Sequence, residues 1–143
     1  VHFGYKNHIK LDVGYHLIRE YEVSTASLHD GEVDLAENND GNVYRDKGYF
    51  GKKLHCFGVN DKTMRRGVRG HPLGKKDLKI NKAISRVRAP GERPFAVIKR
   101  VFHGGRTRVK TLARVSVKES FKCFAFNLYQ LVTLRRRELA KAL

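Results

Sequence analysis

Two carboxylates stand where they could do chemistry. Asp46 closes a short β-type run in Tyr44-Arg45-Asp46-Lys47-Gly48-Tyr49, and Glu92 opens a basic, amphipathic run after Arg88-Ala89-Pro90-Gly91. Acids are scarce, with 14 Asp and Glu against 30 Lys and Arg. An acid at a strand end and an acid on a cationic helix, brought from different elements, suit a divalent ion such as Mg²⁺ or Mn²⁺, which takes hard oxygen ligands. A pair of such ions would activate an attacking water or hydroxyl and stabilise the leaving oxygen of a phosphodiester. The plainer alternative makes Asp46 a cap or turn residue and Glu92 a surface ion-pair partner, and spacing alone leaves both open.

The cations around these acids sharpen the first reading. Arg88 lies four residues before Glu92 and Lys99 seven after it. On a continuous helix both would fall near the face of Glu92 and could hold DNA phosphate beside it. A solvated cationic face is the ordinary outcome of such a charge run. Arg65, Arg66 and Arg69 charge a glycine-rich stretch that would either track a DNA backbone or form an exposed loop.

The whole-chain balance agrees. A net charge of +16 repels itself unless a polyanion shares the surface, which makes nucleic acid the leading partner and predicts steep salt dependence. A membrane surface fits less well, because the apolar helices read as core helices. The sequence has no apolar run long enough to span a bilayer and no signal-peptide core near its start. Cys56 and Cys123 are far apart and read as reduced thiols of a cytoplasmic protein. His55, Cys56, His71 and Cys123 lack zinc-ligand spacing. His29-Asp30 reads as a helix start and not a catalytic dyad, and Gly104-Gly105 as a turn. Tyr5, Tyr15, Tyr44 and Tyr49 suit base stacking or core packing equally.

The elements that must position these groups follow from periodicity. Alternation over 8–12 and 17–24, with a turn at 13–16 centred on Gly14, predicts a β-hairpin. Asp30 offers an N-cap for a short helix through Ala36. Asn38-Asn39-Asp40-Gly41 predicts a turn, and 43–46 a brief strand. Residues 51–74 read as a basic insertion with one strand near 54–59. Helical spacing begins at Lys75, is interrupted at Pro90-Gly91, resumes through Phe102 and stops at Gly104-Gly105. A C-terminal helix, about 110–140, carries an apolar stripe of Leu112, Val115, Phe121, Phe124, Ala125, Leu128, Leu131 and Val132, with Arg135-Arg136-Arg137 at its end.

Taken together, Gly4-Tyr5-Lys6-Asn7-His8-Ile9-Lys10, Val23-Ser24-Thr25-Ala26-Ser27-Leu28-His29-Asp30 and Tyr44-Arg45-Asp46-Lys47-Gly48-Tyr49 resemble the DDE domain of bacterial and archaeal insertion-sequence transposases. The run Arg88-x-x-x-Glu92, continued to Lys99, and the apolar C-terminal helix resemble the same family, in order over nearly the whole chain. The resemblance implies a ribonuclease-H-like α/β fold, a mixed sheet flanked by helices. It implies a Mg²⁺-dependent enzyme that nicks DNA at element ends and joins the freed 3′ hydroxyl to target DNA, working as a homodimer. Asp46 would be the second acid of the triad and Glu92 the third, both catalytic and metal-binding, while Arg88 and Lys99 match the signature around the glutamate.

The chain also departs from the family pattern. The family's first acid lies on a first strand, upstream of the hairpin at which this chain begins, and Asp12 at the hairpin turn is not in that motif. The signature tyrosine three before Arg88 is Ser85, Pro90-Gly91 interrupts the helix, and 30–41 is short. The expectation is one partial catalytic domain spanning 1–143, lacking its first strand, from a truncated copy inactive alone and poorly soluble at its unpaired sheet edge. The rival expectation is a non-catalytic, basic nucleic-acid-binding protein.

Overall fold

The structure, a computed structural model, describes residues 4–141. The chain is mixed α/β and gathers into two compact units, one made of the described residues up to Leu28 with those from Gly91, the other of His29–Pro90.

In the first unit, β1 (Tyr5–Leu11) and β2 (Ile18–Thr25) form the predicted antiparallel hairpin, in register from Tyr5 opposite Thr25 to Lys10 opposite Glu20. A bulge at Lys10/Leu11 sets Leu11 opposite Ile18. Asp12 organises the connection, its carboxylate accepting from the Tyr15 amide at 2.7 Å and the Leu17 amide at 3.2 Å. The residue in the left-handed region of this turn is His16, at φ 57°, and not Gly14.

Two helices cover the hairpin's unit. The chain enters α2 (Arg93–Arg100) with Pro94 in its first turn, where a missing N–H costs nothing. The predicted Gly104-Gly105 stop is a close approach: a Cβ on Gly104 would lie 3.1 Å from the Ile98 carbonyl oxygen. The core joins Ile18, Val97, Ile98, Cys123 and Phe126, flanked by Ile9, Leu11, Tyr21 and Phe102.

The C-terminal helix α3 (Leu112–Lys141) is present but turned differently from its predicted stripe. Its buried residues are Val115, Glu119, Cys123, Phe126 and Gln130, whereas Phe121, Phe124, Leu128, Leu131 and Val132 are exposed. The reason is polar. Asn127 donates to the Ile18 carbonyl at 2.9 Å and accepts the Ile18 amide at 2.8 Å, and Gln130 donates to the Tyr15 carbonyl at 2.7 Å. The hairpin's free backbone groups need partners once covered, and that demand sets the helix face. The arginine run 135–137 lies inside the helix, which continues to Lys141.

In the second unit, β3 (Gly41–Arg45) pairs in parallel with β4 (Val59–Thr63), from Gly41 opposite Val59 to Arg45 opposite Thr63. The strand expected at 54–59 therefore lies later, after Gly58 at φ +70°, where any Cβ would stand 2.9 Å from the Asn39 side-chain oxygen. The helix expected from Asp30 to Ala36 is a 3₁₀ turn over Asp30–Glu32, and His29 caps it, its Nδ1 accepting the Gly31 amide at 3.0 Å. The turn before β3 carries Asn39 at φ 67° and Gly41 at φ 74°. Helix α1 (Lys75–Arg88) begins and ends as its spacing predicts, burying Asn81 and Ile84.

The described strands form two two-stranded sheets, one antiparallel and one parallel, in place of the single mixed sheet expected.

Candidate metal and nucleic-acid residues

Asp46 follows directly on β3, and Arg45 fixes that strand end. The Arg45 side chain is buried, at 7% exposure, where four contacts hold it. It pairs with Asp61 at 2.6 Å, donates to the Lys52 carbonyl at 2.8 Å and to Thr63 Oγ1 at 2.9 Å, and lies 5.5 Å from the centroid of the Tyr49 ring. Burial raises the Tyr49 hydroxyl pKa, with Asp30 adding to the rise and Arg45 opposing it.

With its strand end held, Asp46 caps the 3₁₀ turn Lys47–Tyr49, Oδ1 accepting from the Gly48 amide at 3.4 Å. Oδ2 lies 3.4 Å from Arg88 Nη2, and the side chain is 54% exposed. The cap reading and an outward-facing carboxylate therefore coexist at this position.

Arg88 is the last residue of α1, and its other nitrogen meets Met64 Sδ at 3.7 Å. The continuous helix expected through Arg88, Glu92 and Lys99 is absent: α1 ends at Arg88, a 3₁₀ turn runs Ala89–Glu92, and α2 starts at Arg93. Pro90 explains the break, since its ring clashes with a continuing helix and removes a donor. Arg88 consequently serves Asp46 within the second unit, while Glu92 and Lys99 belong to the first. Glu92 is exposed at the N-cap of α2, makes no capping bond with its side chain, and has no ion pair or hydrogen bond from its side chain among the described residues. Lys99 is exposed near the C-terminus of α2.

Three arginines of the loop differ in status. Arg65 pairs with Asp77 at 3.2 Å, and the buried Asn81 side chain bonds both its backbone N–H (2.8 Å) and its carbonyl (2.9 Å). Arg66 and Arg69 are exposed and line a shallow recess with Phe50 and Val68. Gly70 at φ +85° turns the loop back through a Val68–His71 bridge.

The donor chemistry of Asp46 and Glu92 suits Mg²⁺ or Mn²⁺, since both offer carboxylate oxygen. Among the described residues no three His, Cys, Asp or Glu side chains gather to hold a metal ion. Sequence reasoning missed Arg45 and Asn81. The signal available for Arg45 was its place beside Asp46 at a strand end, while nothing local marks Asn81 as a clamp. No helix among the described residues is long and apolar enough to cross a membrane.

Residues 1–128 match the family described as transposase DDE domain. No curated protein and no solved structure matches the chain.

Proposed function

Since this chain belongs to the transposase DDE domain family, we propose that it takes part in DNA transposition as a metal-dependent phosphoryl-transfer enzyme, cleaving at insertion-sequence ends and joining the freed strand to target DNA. The observation that carries this reading is the family match over residues 1–128 with Asp46 at the carboxyl end of β3. Asp46 and Glu92 are the carboxylates that would hold Mg²⁺ or Mn²⁺, and the family's first acid is assigned to no residue of this sequence. When bound, the metal would activate the attacking oxygen and stabilise the leaving one.

The chain's own side chains supply positioning and charge. Arg45, locked by Asp61 and Thr63, fixes the strand end that presents Asp46. Arg88 holds the Asp46 carboxylate from one side. Lys99, Arg66 and Arg69, all exposed, neutralise backbone phosphates, and Arg65 contributes its charge while tied to Asp77. In phosphoryl transfer such alignment and charge stabilisation supply most of the rate. A ribonuclease-H-like sheet is compatible with an antiparallel hairpin and a parallel pair in one chain. The setting is the cytoplasm of a bacterial or archaeal cell, and the acting unit a homodimer on DNA.

A second reading, a non-catalytic nucleic-acid-binding protein, is favoured by one observation: Asp46 already caps a turn and pairs with Arg88. Calorimetric titration with Mn²⁺ separates the two. Asp46→Asn and Glu92→Gln are expected to abolish divalent-ion binding and, with it, cleavage of element-end DNA. Unchanged ion affinity in both variants would leave the binding protein as the answer.

A further inference from the structure

The first unit holds a cleft of about 1020 Å³ with several cations in its lining. Lys6 from β1, Lys99 from α2, Arg106 and Lys110 from the connection between α2 and α3, and Lys122 from α3 line it, with Glu119 as the acid among the lining residues. Glu119 is bound to Lys122, so that pair is neutral by itself. Lys6 donates to the Leu28 carbonyl at 2.8 Å. Lys99, Arg106 and Lys110 are exposed and have no carboxylate partner among the described residues. The floor is apolar, formed by Ile98 and Val115.

Three features make this a built arrangement and not a scatter of surface charge. The chain after α2 is folded back by Gly104 and Gly105, where a Cβ at Gly105 would stand 3.1 Å from the Lys99 side chain. The far end of the connection is tied to β1, the Thr111 amide donating to the Tyr5 hydroxyl at 3.0 Å. Lys118 also donates to the Arg106 carbonyl at 3.3 Å, holding the middle. The connection carrying Arg106 and Lys110 is thus anchored at three points, against α2, β1 and α3. Uncompensated cations facing one concave space raise its potential and attract an anion. The volume sits at the upper end of ligand clefts, about 300–1,000 Å³, which is roomy for a lone phosphate and suits a run of sugar-phosphate backbone.

We infer that this cleft is a seat for DNA backbone, with Arg106 and Lys110 contacting phosphates beside Lys99. The inference rests on the nucleic-acid part of the proposed function and is independent of its chemistry. It is tested by fluorescence anisotropy of labelled duplex and single-stranded DNA across a salt series, with chelator present and no divalent ion. The double variant Arg106→Gln/Lys110→Gln is compared with Arg135→Gln/Arg136→Gln, which removes the same charge from the exposed end of α3. Each lost phosphate contact lowers the slope of log affinity against log salt by about one. The cleft variant is expected to lose about two and to bind roughly tenfold or more weakly near 0.1 M salt, while the α3 variant keeps its slope. Thermal melting of both variants checks that they fold.

Equal losses in the two variants would reduce the effect to total charge and overturn the inference, as would an unchanged slope in the cleft variant. Inorganic phosphate that displaces DNA as well as an equal concentration of DNA phosphate would also overturn it, making the cleft a lone-anion site. Loss of slope in the cleft variant, together with unchanged Mn²⁺ binding in Asp46→Asn and Glu92→Gln, would keep the seat and remove the enzyme.

Discussion

The two units combine apolar packing and directional bonds in different proportions. The first buries an apolar cluster in which Phe126 is wholly covered and Ile18, Val97, Ile98 and Cys123 surround it. In the second, the buried aliphatic residues are Val33 and Ile84, and they share the interior with Arg45 and Asn81. Apolar packing is non-directional and tolerates repacking, whereas a buried guanidinium or amide is satisfied in one geometry alone. Directional bonds fix a strand end in both units, Asn127 at the start of β2 and Arg45 at the end of β3, but only in the second is the holding side chain a buried charge beside Asp46. A carboxylate that must point reproducibly at a charged ligand benefits from that kind of support.

This contrast sets the order of expected losses. Phe126→Ala leaves a cavity in the first unit's core and is expected to cost about 3–5 kcal/mol in denaturant unfolding. Arg45→Met removes charge-assisted bonds to Asp61 and Thr63 and the bond to the Lys52 carbonyl. Its expected cost is smaller, about 1.5–3 kcal/mol, because Asp61 is 40% exposed and regains water. Asn81→Ala frees the Arg65 amide and carbonyl and is expected to cost about 1–3 kcal/mol. The contrast predicts a further split: Arg45→Met weakens Mn²⁺ binding as well as stability, while Phe126→Ala at equal folded fraction leaves it unchanged. Unchanged ion binding in Arg45→Met would mean that the bonds of Arg45 do not position Asp46.

The sequence was legible where one force dominates. Alternation marked the hairpin, apolar spacing marked α1 and the extent of α3, and Asp46 stood at its strand end as read. It was misleading where polar partners decide. The α3 stripe pointed outward because Asn127 and Gln130 answer the hairpin backbone, a need invisible in hydropathy. β4 was expected too early, near 54–59, because Val59-Asn60-Asp61-Lys62-Thr63 has no apolar alternation, its pairing supported instead by the bonds of Arg45 to Asp61 and Thr63. The Arg88–Glu92 relation failed for a local reason, since Pro90 ends the helix that the spacing argument required. For the candidate site, the supports were not legible in the sequence: Arg45, Asp61 and Asn81 act through tertiary bonds.

The smallest expected effect concerns a directional device at the first unit's hairpin turn. Asp12 is mostly buried, and burial alone would push its carboxyl pKa up, but the Tyr15 and Leu17 amides, Arg19 and Gly14 outweigh it and hold the pKa below the ordinary 3.8. Arg19 is 57% exposed at 3.6 Å, so its share is small. A depressed folded-state pKa means the charged carboxylate stabilises the fold above the ordinary value, and that contribution is lost as pH falls through the lower folded value. Asp12→Asn is therefore expected to lower stability by about 1 kcal/mol at neutral pH, with the gap to the parent protein closing in acid. Denaturation midpoints well above and well below 3.8 check this. A gap that persists in acid would mean that Asp12 acts by turn geometry and not by charge.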